Sequence, residues 1–313
     1  MTTMAKTVER ADQPPGVRPA LIRRGHKPPG ELAAPFLLVL PAILIIVLIR
    51  IYPLFLGLSF SFTGDGDKSG QFIGIQNYIQ LFQDPVFIAS FTHILVLLAF
   101  LPLAVFFPGI LATFLYLRVP GHRFYRSVYF LPAILSSVVI GAIFNRVLAV
   151  NGPLNWFLGL FGIPSVDWLG TSTTALPSVV LVQIWATFGM TLIIFLAGFS
   201  TLDQSLIDAA RVDGANLRQL VRHVVIPGLS QTIQFVIVTT TIGMLTGMFG
   251  LLYVMTYGGP GTASYLPELY IWNEQGTLNR PAMASAASMV LFAITLVIGL
   301  IQIRILRRTN TED

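Results

Sequence analysis

The chain has 313 residues, of which 54% are hydrophobic and only 11% charged, whereas a soluble domain carries about 45–50% apolar and about 25% charged residues. With 23 Phe and a mean hydropathy of +0.76, that balance excludes an ordinary soluble protein and predicts apolar surface facing lipid. The formal net charge is +5 and cysteine is absent, which removes disulfides, thiolate catalysis, iron–sulfur clusters and the usual structural zinc sites.

Residues 1–31 hold Lys6, Arg10, Arg18, Arg23, Arg24 and Lys27 among prolines and read as a disordered basic tail. The apolar run from about 33 to 62 is longer than the roughly 7–15 apolar residues of a cleavable signal and is followed by no small-residue cleavage pattern. It is expected to be the first spanning helix. A bilayer core of about 30 Å takes roughly 20 apolar residues, and further runs recur near 87–117, 127–148, 174–199, 229–256 and 283–303. The expected fold class is therefore an all-α membrane protein with six transmembrane helices. The domain layout is a tail at 1–31, a spanning domain at 32–306 and a short C-terminal tail at 307–313.

With the N-terminus inside, the cytoplasmic segments collect fifteen of the nineteen Lys and Arg residues, among them Arg118, Arg123, Arg126, Arg211, Arg218, Arg222, Arg304, Arg307 and Arg308. The positive-inside rule selects that topology, with both termini cytoplasmic. Pro41, Pro53, Pro102, Pro108, Pro132 and Pro177 lie in or beside the apolar runs. Each removes a backbone hydrogen bond and can kink its helix, and bent helices can enclose a cavity, although proline is common in membrane helices generally.

Chemical motifs are sparse. His26, His93, His122 and His223 are far apart, and none of the three lysines sits in a Gly-Lys-Ser/Thr phosphate loop, so neither a local metal site nor ATP binding by this chain is expected. The cytoplasmic segment 200–227 carries the most information. Ser200, three residues before Asp203, has the spacing of a helix start, and a short helix should run to about Val212. Asp213-Gly214 forms a turn pair. A second helix should begin near Ala215 with Leu217, Leu220, Val221 and Val224 as its apolar stripe, and Pro227 should open the fifth span. Two short helices with small residues at Ala209 and Ala210 form either a knob that a partner protein can grip or an amphipathic loop on the membrane surface.

Asp208-Ala209-Ala210, three residues, Gly214, nine residues, then Val224-x-Ile226-Pro227 resembles the EAA loop of ABC importer permeases, whose pattern is Glu-Ala-Ala, three residues, Gly, nine residues, Ile-x-Leu-Pro. The substitutions Asp for Glu, Val for Ile and Ile for Leu are conservative. The likeness extends over about 35–303 and is greatest to the carbohydrate-type, maltose-like (MalF/UgpA-type) permeases. It is carried by Tyr52-Pro53, Ser59-Phe60, Phe72 to Tyr78, Gly121 to Ser127, Asn151-Gly152, Trp168-Leu169-Gly170, Trp185 and Thr256 to Pro260.

This resemblance implies the type I (MetI-like) permease fold in the plasma (inner) membrane of a prokaryote. It implies a second, MalG-like permease as partner, two ATPase subunits that bind ATP and Mg, and an external solute-binding protein. No cofactor in this chain and no nucleic acid partner are expected, and the chain itself would be non-catalytic. Asp208, Ala209, Ala210, Asp213, Gly214 and Pro227 would couple to the ATPases. Ser137, Trp185, Thr187, Thr241, Leu245 and Met248 would lie along the solute pathway, with Leu245 and Met248 standing where the maltose permease has amides. Gln183, Tyr253 and Asn145 are further polar candidates on the same helices, although Ser and Thr in membrane helices commonly bond back to their own backbone. The solute would be a sugar, with a glycerol phosphodiester or a polyamine as the alternative. The segments 151–170 and 257–281, rich in aromatics, should face outward, meeting a solute-delivery protein or forming an interfacial aromatic belt. A secondary transporter would call for intramembrane acids, of which the second, third and sixth expected spans hold none, and a membrane enzyme for a clustered catalytic set, which the sequence does not show.

Overall fold

The computed structural model describes residues 29–116, 129 and 132–309. The basic tail up to residue 28, the Gly121–Ser127 motif with its arginines, the start of the third apolar run and residues 310–313 lie outside the described residues. The chain divides between Pro53 and Leu54 into two compact units.

In the first unit, α1 (Pro29–Ile46) passes into a π turn at Val47–Ile51. Its side chains from Leu38 to Ile51, Arg50 included, are exposed. Because nearly all are apolar on every side, this is the surface of a helix whose solvent is hydrocarbon. The next helix, α2 (Tyr52–Phe60), leads into the second unit.

The second unit continues with α3 (Gln76–Leu81), α4 (Pro85–Tyr116), α5 (Ser137–Val147), α6 (Pro153–Gly159) and α7 (Ala175–Phe199). The short α8 (Gln204–Val212), α9 (Leu217–Leu220), a π turn Val221–Val225 and α10 (Ile226–Gly228) follow. Last come α11 (Ser230–Thr246), α12 (Phe249–Met255), α13 (Pro267–Trp272), a π turn Asn273–Thr277 and α14 (Pro281–Thr309). Strands are absent among the described residues, apart from isolated bridges in the 63–72 turn.

Four helical segments are long and apolar enough to cross a membrane: Leu38–Phe60, Pro85–Tyr116, Ala175–Phe199 and Pro281–Ile305. A fifth is obtained if Leu217–Gly228 and Ser230–Thr246, bent by 70°, count together. Two of the expected spans are thus not single helices. In the third, the described part breaks at Leu135–Ser136. There Ser136 turns extended (φ −70°, ψ 150°) and its side chain accepts from Val139 N, starting the 11-residue α5. In the fifth, the helix stops at Thr246 and restarts at Phe249. Pro102 and Pro108, by contrast, sit inside the unbroken 32-residue α4.

The core forms where α4, α7, α11 and α12 meet. Leu97, Val179, Val180, Met248, Leu251, Leu252 and Leu269 share one buried cluster. Val105, Leu192, Phe195, Phe199, Leu229 and Val236 share another. In a lipid-facing protein such clusters hold helices together by close packing more than by exclusion of water.

At the end of the bundle carrying the 61–84 and 256–280 connections, polar residues tie the helix starts. Asp65 accepts from the backbone N–H groups of Ala282 (2.8 Å) and Met283 (2.9 Å), capping α14. Asp84 accepts from Val86 N at 2.8 Å, capping α4, and receives the Tyr270 hydroxyl at 2.7 Å. Each cap satisfies N–H groups that have no partner within their own helix. Buried Asn77 donates to the carbonyls of Ser61 (2.9 Å) and Thr63 (2.8 Å), which fixes the turn that brings Asp65 to α14.

Candidate functional site

The 200–229 connection lies at the opposite end and forms a two-helix elbow. Its first helix starts at Asp203, not at Ser200. Asp203 is extended (φ −70°, ψ 113°) and its carboxylate accepts from Ser205 N at 2.9 Å. Hydrogen bonds from the Ser205 side chain and backbone hold the Asp203 carboxyl below its ordinary value. Ser200 instead closes α7, its hydroxyl donating to Ala197 O at 2.6 Å. A serine followed by an acid at i+3 satisfies the local pattern, but Ser200 is the C-cap of the span that ends at Phe199, and the next helix takes its cap from Asp203.

Along α8, Ile207 is fully buried whereas Asp208 and Ala209 are exposed and Ala210 is half-buried. One face of the helix is thus anchored and the other presented. Asp208 pairs with Arg211 at 3.6 Å across an exposed helix turn, a contact worth little in itself. Asp213 ends the helix and Gly214 takes φ +79°. The second helix is capped at Asn216 by a capping box in which Gln219 N donates to Asn216 Oδ1 (3.0 Å) and Asn216 N donates to Gln219 Oε1 (2.9 Å). It therefore begins at Leu217, two residues later than expected. Leu217 is exposed while Leu220 and Val225 are buried, and the π turn at Val221–Val225 sets the five-residue spacing between the two buried positions. Pro227 lies in α10, and the fifth span begins only after the bend at Leu229.

The base of the elbow is closed by contact between its two legs. A Cβ on Gly198 would collide with the Thr232 side chain, and one on Gly228 with Leu202. The Tyr116 ring stacks on Phe199 at 4.6 Å, and its hydroxyl donates to Gln204 Oε1 at 2.9 Å. The end of α4, both legs and α8 are thereby joined with little slack.

The expected pathway residues separate into several places. Gln183 and Thr187 line a cavity of about 180 Å3 together with Thr191, Thr239, Thr240 and Gly243. Thr187 and Thr191 each donate to the carbonyl four residues back, at 2.9 and 3.2 Å. Thr191 escaped the sequence reading although Gln183, Thr187 and Thr191 repeat at i, i+4 and i+8, which is one helix face. Trp185 points elsewhere, lining an apolar cavity of about 550 Å3 with Phe107, Tyr129, Pro132 and Phe188 and meeting Phe144 edge-on at 5.0 Å. Ser137 lies against Gly250, where an added Cβ would stand 2.5 Å from its hydroxyl.

Thr241 faces the last span, receiving Gln302 Nε2 at 2.8 Å while donating to Ile237 O at 2.7 Å. Leu245 and Met248 are core residues, 3% and 0% exposed. Asn145 donates to Met255 O at 3.0 Å, satisfying the end of α12. Tyr253 stands apart, exposed together with Trp272 and packed on the half-buried Phe249.

Glu268 was not foreseen. From α13 its carboxylate accepts from Met248 N at 3.1 Å, capping α12 at the break in the fifth apolar run. Burial pushes its carboxyl up to about 7, opposed by hydrogen bonds from the N–H groups of Met248 and Phe249. Nothing local marks a cap that comes from twenty residues away. Among the described residues no group of three or more His, Cys, Asp or Glu could hold a metal ion.

An all-helical, multi-pass membrane protein with an exposed, stiffly based elbow between two adjoining legs is the class that this geometry defines. The chain belongs to the family of binding-protein-dependent transport system inner membrane components, whose pattern it matches over residues 90–310. It is 30% identical over 286 residues to the probable ABC transporter permease protein YurN of Bacillus subtilis (strain 168), covering 89% of this chain and 97% of that one. It is 29% identical over 275 residues to the multiple sugar-binding transport system permease protein MsmF of Streptococcus mutans, covering 87% and 94%. The diacetylchitobiose uptake system permease protein NgcF of Streptomyces coelicolor is 26% identical over 253 residues, covering 76% and 72%. In fold, the chain matches a bacterial ABC transporter involved in the import of the acidic polysaccharide alginate, with a TM-score of 0.78 over 89% of this chain and 96% of that one at 23% identity. The same likeness holds for that transporter in complex with its oligosaccharide-bound periplasmic protein, again with a TM-score of 0.78.

Proposed function

We propose that this chain is one of two permease subunits of an ATP-driven importer for a neutral sugar or oligosaccharide, with the elbow at 200–227 as the joint to the ATPases. The observation that carries this reading is the elbow itself. Asp208 and Ala209 are presented to solvent while Ile207 and the Gly198–Thr232 contact hold the base. A rigid knob transmits displacement, whereas a soft loop dissipates it. Asp208, Ala209, Ala210, Asp213, Gly214 and Pro227 are the coupling residues in this scheme, and the tilt of α7 and α11 is the motion passed to the pathway. ATP and Mg belong to the partner ATPases, and this chain performs no catalysis.

Six spans with both termini cytoplasmic, a basic tail at 1–31 and a spanning domain at 32–306 complete the arrangement. A second permease and an external binding protein are the remaining partners. The names of relatives such as the sugar permease MsmF and the diacetylchitobiose permease NgcF support a sugar as solute, as does a largely apolar cavity whose few polar lining residues, Gln183, Thr187 and Thr191 among them, are all neutral.

Because the chain has no cysteine, single cysteines report sidedness cleanly. Val212→Cys in the elbow and Trp156→Cys in α6 lie at exposed positions. With a membrane-impermeant maleimide on intact cells, Trp156→Cys should label at once and Val212→Cys only after lysis, and Val212→Cys should crosslink to the ATPase. Labelling of Val212→Cys from outside would overturn the scheme.

A further inference from the structure

Helix α12 and the connection after it hold an aromatic group that neither the elbow nor the cavity at Gln183 uses. Phe249 and Tyr253 lie on α12 with ring centroids 5.5 Å apart. Trp272, from the end of α13, approaches Phe249 at 5.3 Å and Tyr253 edge-on at 6.3 Å, and Tyr257 meets Tyr253 edge-on at 5.1 Å. The rings interlock as buried aromatics do, yet Tyr253, Tyr257 and Trp272 are 41%, 45% and 48% exposed.

Tyr257 also has φ +51°, a backbone region that suits Gly or Asn and disfavours a bulky residue. That conformation ends α12, with the Tyr257 N–H donating to Leu252 O at 2.9 Å, and it leaves the ring beside Tyr253. The Tyr257 hydroxyl donates to Asn273 Oδ1 at 3.0 Å, and Asn273 donates one Nδ2–H to the Tyr265 hydroxyl. The amide is therefore held in one orientation beside the rings, with its second N–H left for a ligand. Of the nearby acids, Glu274 is buried and paired with Arg280 at 3.4 Å and Glu268 is turned to the Met248 N–H, so the exposed rings present an apolar face with polar edges. An interfacial belt places single rings at headgroup depth, whereas these form one continuous surface that starts two residues after the break at Gly247.

We infer that the Tyr253, Tyr257 and Trp272 rings form a stacking site for a pyranose ring of a neutral saccharide, with Asn273 as its hydrogen-bonding edge. Flat apolar faces bind the C–H faces of a sugar, and the adjacent amide takes a ring hydroxyl. The inference rests on the reading of the solute as a sugar.

The test uses the purified full-length chain in nanodiscs, titrated separately with N,N′-diacetylchitobiose and maltotriose while saturation transfer from aromatic protons to the sugar is followed. Wild type should transfer to ring C–H protons of at least one of the two. Trp272→Ala and Tyr253→Ala should each raise the dissociation constant about tenfold, and Trp272→Phe should stay within about twofold of wild type. Transfer unaltered by both alanine variants, or no transfer to either sugar while cells expressing the whole transporter take one up, would overturn the site alone. If the alanine variants lose the second permease or the binding protein on co-purification, the rings are a subunit contact and the site is likewise overturned. Absence of saccharide uptake by those cells would sink the underlying sugar reading, and the site with it.

Discussion

Replacing Gly214 separates a turn from a docked surface. The residue has φ +79°, and a Cβ added there meets nothing within 4 Å in this chain. A side chain at 214 therefore has room, and its only intrinsic cost is the left-handed backbone, roughly 1–2 kcal/mol for an ordinary residue and less for Asn. That cost shifts the closed end of α8 toward open forms by a factor of about 5–30 in Gly214→Ala, and by less in Gly214→Asn. Amide exchange at Asp213 to Ala215, whose N–H groups bond Ala209 O, Arg211 O and Ala210 O, reads that shift directly. ATP-driven uptake reads coupling. If position 214 enters an ATPase groove, Gly214→Asn should abolish uptake while exchange stays near wild type, because the larger side chain obstructs docking without opening the turn. Uptake that follows exchange, nearly normal in Asn and reduced in Ala, would refute docking at this residue and leave Gly214 as a turn former only.

The base of the elbow should be equally intolerant of added volume. Gly198→Ala drives a methyl into Thr232, an overpacking that costs about 1–3 kcal/mol; thermal unfolding in detergent should fall by about 2–4 °C per kcal/mol, with partial rescue by Thr232→Ala. Asp65→Ala removes the acceptor of Ala282 and Met283 and should cost about 0.5–2 kcal/mol, with faster exchange confined to the first turn of α14. Glu268 has a carboxyl raised to about 7, so its neutral form is favoured by folding. Its contribution is complete below its ordinary value near 4.5 and lost as pH rises through about 7. Wild-type melting temperature should fall between about pH 5 and 8 relative to Glu268→Gln, and parallel pH curves for the two proteins would contradict the assignment.

The elbow was the most legible part of the chain. Its motif spacing is local, the turn at Gly214 follows from backbone sterics, and apolar runs of span length need only composition to be recognised. The helix starts were misplaced by two or three residues for local reasons as well. Ser200 and Asp203 both suit a cap, and the choice between them depends on where the packed span ends. The π turn at Val221–Val225 cannot be read from periodicity because it alters the periodicity.

Composition and charge determined that this polypeptide crosses a membrane repeatedly, and one spaced motif determined its family. What only the tertiary structure decided is which polar groups meet. Gln183 joins Thr191 and Thr240 around one cavity, Thr241 turns to Gln302 instead, and Glu268 reaches back twenty residues to cap Met248. A hydroxyl on an apolar helix has the same local signature whichever neighbour it faces. Its partner is fixed by how the helices rotate and break against one another, and those rotations are set by packing across the whole bundle.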